Sequence, residues 1–224
     1  MQSIFLILSF FPLMNVVSKA VLSHNKVTIK KRRYLTMYDH YYERLAYFRS
    51  GAKDPVDVLF LGDSLTERYD LESYFPTLKT CNRGIDGDTP LGLLERLDDS
   101  LIPAKTVVLL IGVNDLSSVE SVYPLLLDQM KKRCEKSSIL VLSILPLEGS
   151  YAHDNPKVIQ ANSFIASLCK EEQLPFLDIH DRFYGEAQEL DSRYSIDGCH
   201  LTAEGYELLT RLIAPEIEGS LRRR

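Results

Sequence analysis

The four cysteines, Cys81, Cys134, Cys169 and Cys199, include no C-x-x-C pair. Zinc sites and disulfide frameworks rest on closer, repeated spacing, so neither is expected and all four read as reduced thiols. That usage favours a reducing compartment. Basic charge is not in excess. Lys and Arg number 26 against 31 Asp and Glu, a formal net charge of −5, which removes any general attraction to nucleic acid or an anionic membrane. The short basic runs at 30–33 (KKRR) and 222–224 (RRR) read as solvated tails. No internal repeat, low-complexity stretch or Pro/Gly-rich linker divides the 224 residues, a length that suits one large α/β domain. Neither G-x-G-x-x-G nor the P-loop pattern occurs, which argues against a flavodoxin-like nucleotide binder.

No apolar run reaches the roughly 20 residues that a bilayer crossing needs. Residues 4–17 are almost wholly apolar, broken at Ser9 and Pro12, and Ser18-Lys19-Ala20 offers a cleavage site. Met1-Gln2-Ser3 lacks the positive charge of a secretory signal. If the stretch extended to Leu22 and spanned, the basic cluster at 30–33 would hold the downstream side in the cytoplasm. A start at Met37, where an amphipathic helix begins, leads to the same compartment. Residues 1–36 are therefore expected to lie outside the fold, with one domain over 37–224. The expected location is cytoplasmic, with membrane-anchored or secreted forms as alternatives, and membrane contact is expected only through residues 4–22.

From Met37 onward, apolar runs alternate with helix-length amphipathic segments. The runs are 56–61 (VDVLFL), 106–111 (TVVLLI), 138–145 (SILVLSIL) and 174–179 (LPFLDI), with a weaker strand at 79–82. Continuous apolar runs suit parallel strands buried on both faces. Candidate helices fall near 38–49, 90–100, 118–135, 156–172 and 202–218. Thr89-Pro90 forms an N-cap and first-turn pair. Tyr123, Leu126, Leu127 and Met130 make an apolar stripe at helical spacing, a core face. This alternation predicts a three-layer α/β/α sandwich around a flavodoxin-like, five-stranded parallel sheet. In such sheets ligands bind at the carboxyl ends of strands, near a switch in strand order.

The chemistry-bearing residues stand at those ends. Gly62-Asp63-Ser64 follows the first run, Asn82-Arg83-Gly84 the second, Gly112-Val113-Asn114-Asp115 the third, and Asp197-Gly198-Cys199-His200 precedes the last helix. Singly, each has a plain explanation: a serine capping a helix, an Asn-Asp turn, a hydrogen-bonding histidine. Together, in order and each at a strand end, they resemble the four motif blocks of the SGNH (GDSL-type) hydrolase superfamily, over residues 57 to about 210. The phrases LFLGDSLTE, NRGIDGDT, LLIGVNDL, LSILPLE and DGCHLTAEGY are most similar to its bacterial branch related to platelet-activating-factor acetylhydrolase.

The resemblance implies a serine esterase. A serine hydroxyl needs an adjacent base, here His200, with Asp197 three residues earlier to orient the imidazole. The resemblance places the oxyanion hole at the N–H groups of Ser64 and Gly84 and the side chain of Asn114. Asp63 and Asp115 are expected to support their loops, Arg83 to pair structurally, and Cys199 to pack. The implied substrate is a small ester with a short, acetyl-type acyl group. The mechanism requires no metal or organic cofactor. A lysophospholipase or thioesterase on the same residues is an alternative; so is a catalytically silent carbohydrate-binding relative, which would have lost one of the three. The oligomeric state is not indicated.

Overall fold

A computed structural model of the chain describes residues 39–51 and 53–223, so the expectations for residues 1–36 fall outside the described residues. A first helix, α1, covers residues 39–50. Five parallel strands follow, β1 (Val56–Gly62), β2 (Thr80–Gly84), β3 (Ala104–Leu110), β4 (Ser138–Leu142) and β5 (Phe176–Leu177). Their spatial order is β2-β1-β3-β4-β5. The remaining helices are α2 (Ser64–Glu67), α3 (Leu71–Tyr74), α4 (Pro90–Glu95), α5 (Leu97–Ser100), α6 (Val119–Arg133), α7 (Asn155–Glu171) and α8 (Ala203–Arg222). Tyr41–Arg224 forms one compact unit.

The continuous apolar runs arise because both faces of the sheet are buried. Alternate residues point to opposite sides. Leu59, Leu61, Val107, Leu109, Ile139 and Val141 join one core with Leu93 of α4, Leu126 and Met130 of α6 and Ile165 of α7. Val58, Phe60, Val108, Leu110, Leu140 and Leu142 join the other with Tyr206, Leu209, Ile213 and Ile217 of α8. The stripe Tyr123, Leu126, Leu127, Met130 is wholly buried, as its spacing predicted.

Several elements differ from their predicted extent. The helix expected at 90–100 breaks at Arg96, whose φ of −100° and ψ of 10° end α4 before α5 begins. The strand expected at 138–145 ends at Leu142. Beyond it the chain stays buried, and side chains take over the partnership. Ser143 Oγ accepts from the N–H groups of Ile179 and His180, Asn162 bonds both backbone groups of Ile144, and Asn155 both of Leu147. Buried backbone polar groups need partners, and here side chains, mostly from α7, supply what a longer β5 would have. The run at 174–179 contributes only two strand residues.

The chain leaves β1 to build β2 on one side and returns to build β3 on the other. That switch places the end of β1, and with it Ser64, at the crevice where ligands bind in such sheets.

Candidate active site

Ser64 is the first residue of α2, directly after β1. The turn is tight: a Cβ on Gly62 would lie 2.2 Å from Leu110 O and from Thr66 Oγ1. Asp63 caps α2, its Oδ1 accepting from Leu65 N–H at 3.0 Å. The Ser64 N–H donates to no group among the described residues.

His200 reaches Ser64 from the loop before α8. Gly198, at φ 96°, turns that loop; its N–H donates to Ser195 Oγ at 2.7 Å, and its carbonyl accepts from Glu148 N–H at 2.8 Å. Asp197 Oδ1 accepts from the N–H groups of Cys199 and His200 at 3.2 and 2.9 Å. Asp197 Oδ2 lies 2.7 Å from His200 Nδ1, and His200 Nε2 lies 3.0 Å from Ser64 Oγ. With the proton on Nδ1 facing the carboxylate, Nε2 presents its lone pair to the serine hydroxyl. Partial burial raises the Asp197 carboxyl, but the bonds from His200 and Cys199 outweigh it and hold the group below the usual carboxylate range.

Asn114 follows β3, and its Nδ2 donates to Asp88 O at 2.9 Å. A carboxamide nitrogen carries two hydrogens; one anchors the side chain, and the other has no partner among the described residues.

Gly84 corrects the sequence reading. Its N–H donates to Asn82 Oδ1 at 2.9 Å, and its carbonyl accepts from Arg44 at 3.0 Å. A Cβ there would sit 2.2 Å from Glu67 N and 2.7 Å from Glu67 Cα. The glycine therefore permits α2 to press backbone to backbone on β2, and its N–H is already spent. Three residues on, Gly87 adopts φ 75° in the turn that Asp88 N–H closes on Ile85 O at 3.1 Å. Its N–H donates to no group among the described residues. The neighbouring Asp88 carbonyl carries Asn114. Sequence reasoning missed Gly87; the Asp86-Gly87 dipeptide is the turn signal that could have found it.

Asp115 accepts from Ser117 Oγ at 2.6 Å within its own loop. Arg83 has no carboxylate partner among the described residues; its guanidinium stacks 4.7 Å from the Phe48 ring centroid, and its Nε has no hydrogen-bond partner. All four cysteines are free, and burial pushes the Cys199 thiol up to about 12, which keeps it protonated beside His200.

Asp63 is enclosed, and burial raises its carboxyl from 3.8 to about 7 against the Leu65 hydrogen bond. Between those values the folded chain keeps a proton that the unfolded chain releases. The stabilisation is complete below about pH 4 and is lost as the pH rises through about 7. At about 1.4 kcal/mol per unit, the change is about 4 kcal/mol. Asp63→Asn keeps the acceptor for Leu65 N–H but does not titrate. Urea midpoints of the wild type should fall from pH 4 to 7 more steeply than those of Asp63→Asn; parallel curves would contradict the assignment.

A sequence model of the GDSL-like Lipase/Acylhydrolase family matches residues 60–208. The chain belongs to this family. The family is named for lipase and acylhydrolase activity. A solved protein from Streptococcus pneumonia, described as a platelet-activating-factor homologue, superposes with a TM-score of 0.76 at 25% identity, over 88% of this chain and 100% of its own. A GDSL-like lipase from Bacteroides thetaiotaomicron has a TM-score of 0.68, also at 25% identity, over 80% and 98%. Among curated proteins, the N-acylneuraminate cytidylyltransferase of Streptococcus agalactiae serotype V is 28% identical over 192 residues, 81% of this chain. The match spans only 42% of that protein's length. Among the described residues of this GDSL-family chain, no helix is long and apolar enough to cross a membrane, and no three His, Cys, Asp or Glu side chains gather as metal ligands.

Proposed function

We propose that the chain hydrolyses short-chain acyl esters, acetyl esters first, with Ser64 as nucleophile, His200 as general base and Asp197 as its orienting partner. The observation that carries this reading is the continuous hydrogen-bonded relay from Asp197 through His200 to Ser64, at 2.7 and 3.0 Å. Ser64 Oγ attacks the ester carbonyl as His200 Nε2 takes its proton. The N–H groups of Ser64 and Gly87 and the free hydrogen of Asn114 Nδ2 receive the developing oxyanion. His200 then gives its proton to the departing alcohol. A water, activated by the same imidazole, cleaves the acyl-serine and restores the hydroxyl.

The short-chain preference is supported by the surroundings of the relay. Two open cavities of about 470 and 440 Å³ lie elsewhere, one between α7 and His180, the other between the turn after α3 and α8. No relay residue lines either. The segment facing Gly198 is the polar turn Gly149–Asp154, with Tyr151 exposed. A buried methylene contributes about 0.8 kcal/mol only where apolar surface receives it. With p-nitrophenyl esters below micelle-forming concentrations, kcat/KM is expected to peak from acetyl to butyryl and to fall beyond about six carbons, where further methylenes would stay in water. A constant still rising at decanoyl would favour the lysophospholipase reading. The carbohydrate-binding alternative requires a lost relay member, and Ser64, His200 and Asp197 are all present. An O-acetylated N-acylneuraminate belongs in the same panel, because the curated relatives are named for that sugar acid.

A further inference from the structure

The proposed oxyanion side is assembled from three segments: β1 runs into Ser64, β2 into the 84–88 loop, and β3 into Asn114. One side chain ties them together. Arg96, at the break between α4 and α5, is 2% exposed. Its Nε donates to Asp88 Oδ2 at 2.7 Å, one terminal nitrogen donates to Arg83 O at 3.0 Å and Ser100 Oγ at 2.7 Å, and the other donates to Gly62 O at 3.0 Å. Gly62 ends β1 two residues before Ser64, and Arg83 is the penultimate residue of β2. Asp88 passes the connection on: its Oδ1 accepts from Thr89 N–H, and its carbonyl accepts from Asn114 Nδ2, both at 2.9 Å. Gly92 leaves room for the carboxylate, since a Cβ there would lie 2.1 Å from Asp88 Oδ1.

The helix break follows from the same side chain. The spacing at 90–100 predicts an unbroken helix, yet the chain turns out of helical geometry at the residue whose guanidinium enters the sheet end. Burying an ion pair so deeply is a poor way to gain stability, because desolvation costs several kcal/mol per ion. A planar fork can, however, hold several acceptors in fixed directions at once, which an ammonium cannot.

We propose that Arg96 is a positioning residue for the oxyanion contacts, a role that rests on the serine-esterase reading above. Through Asp88 it sets where the Asn114 amide points. The carbonyls of Gly62 and Arg83 fix the guanidinium in place for that contact. Such donors act only when aimed at the site where charge develops, and a misplacement of about 1 Å can cost about 10² in rate.

The test is a pair of double-mutant cycles with p-nitrophenyl acetate. Arg96→Lys is measured alone and with Asn114→Ala, and Asp88→Asn likewise, with Tm and folded fraction recorded for each. Asp88→Asn retains the main-chain carbonyl and side-chain size while weakening the link to Arg96, and it decides the matter if Arg96→Lys does not fold. Expected are losses in kcat of about 10- to 100-fold at little-changed KM. In the Asn114→Ala background the same substitutions should cost less than about threefold, because their effect passes through the removed group. Equal losses in both backgrounds, or losses that follow folded fraction alone, would overturn the positioning role and leave the esterase reading intact. A wild type inert toward every ester in the panel would overturn both.

Discussion

Ser64→Ala is expected to lose about 10⁴-fold or more of the esterase turnover while keeping its Tm within a few degrees. The substitution removes one oxygen, whose hydrogen bond in the structure is to His200 Nε2. The residue is 3% exposed, and the cap, the turn and the helix that hold it depend on Asp63, Gly62 and Tyr206. Tyr206 reaches from α8 to donate to Leu65 O at 2.9 Å, so the backbone under the serine is tied independently of its side chain. The residual rate should reflect the oxyanion donors and binding alone. Covalent labelling by an organophosphonate should occur in the wild type and be absent from the variant. Unchanged turnover in Ser64→Ala would remove the proposed nucleophile.

Gly84→Ala is expected to act on stability far more than on chemistry. The added methyl would meet Glu67 N and Cα at 2.2 and 2.7 Å, backbone atoms that no rotamer change can move. Overpacking of this kind costs about 3 kcal/mol or more. For a domain of this size that corresponds to a drop in Tm of about 6–12 °C. Activity per folded molecule should stay within a few-fold of the wild type, since the Gly84 N–H is held by Asn82 Oδ1. A variant with wild-type Tm and strongly reduced kcat would return Gly84 to the oxyanion hole and displace Gly87.

The two glycines mark where sequence reasoning stops. Three motif blocks at strand ends bring Ser64, the 84–88 loop and Asn114 to one edge of the sheet, because parallel strands with helical crossovers carry their carboxyl ends to the same side, whereas Asp197 and His200 come from the loop before α8. That argument needs no side-chain detail. The choice between Gly84 and Gly87 does, because both follow β2 and both lack a Cβ. It turns on whether a nearby acceptor already takes the N–H, and for Gly84 that acceptor is the carboxamide two residues earlier.

Arg96 was hidden for a related reason. Read locally, it is one polar position in a helical stretch, and its inward turn is visible only when Gly62 O, Arg83 O and Asp88 are in place to receive it. The apolar stretch 138–145 shows the same limit. Its burial was legible in its composition, whereas the end of the strand at Leu142 depends on β5 offering only two residues for pairing and on Ser143, Asn155 and Asn162 satisfying the backbone beyond.

By itself, the sequence determined the parallel α/β architecture and the helix faces, and it singled out Ser64, Asp197 and His200 as candidates, since periodicity and motif order are one-dimensional properties read along the chain. Only the tertiary structure decided which backbone N–H groups remain free, where helix and strand end, and which buried arginine joins the pieces. Those outcomes depend on distances between residues far apart in the chain, and hydrogen-bonding groups are claimed by whichever partner folding brings within about 3 Å.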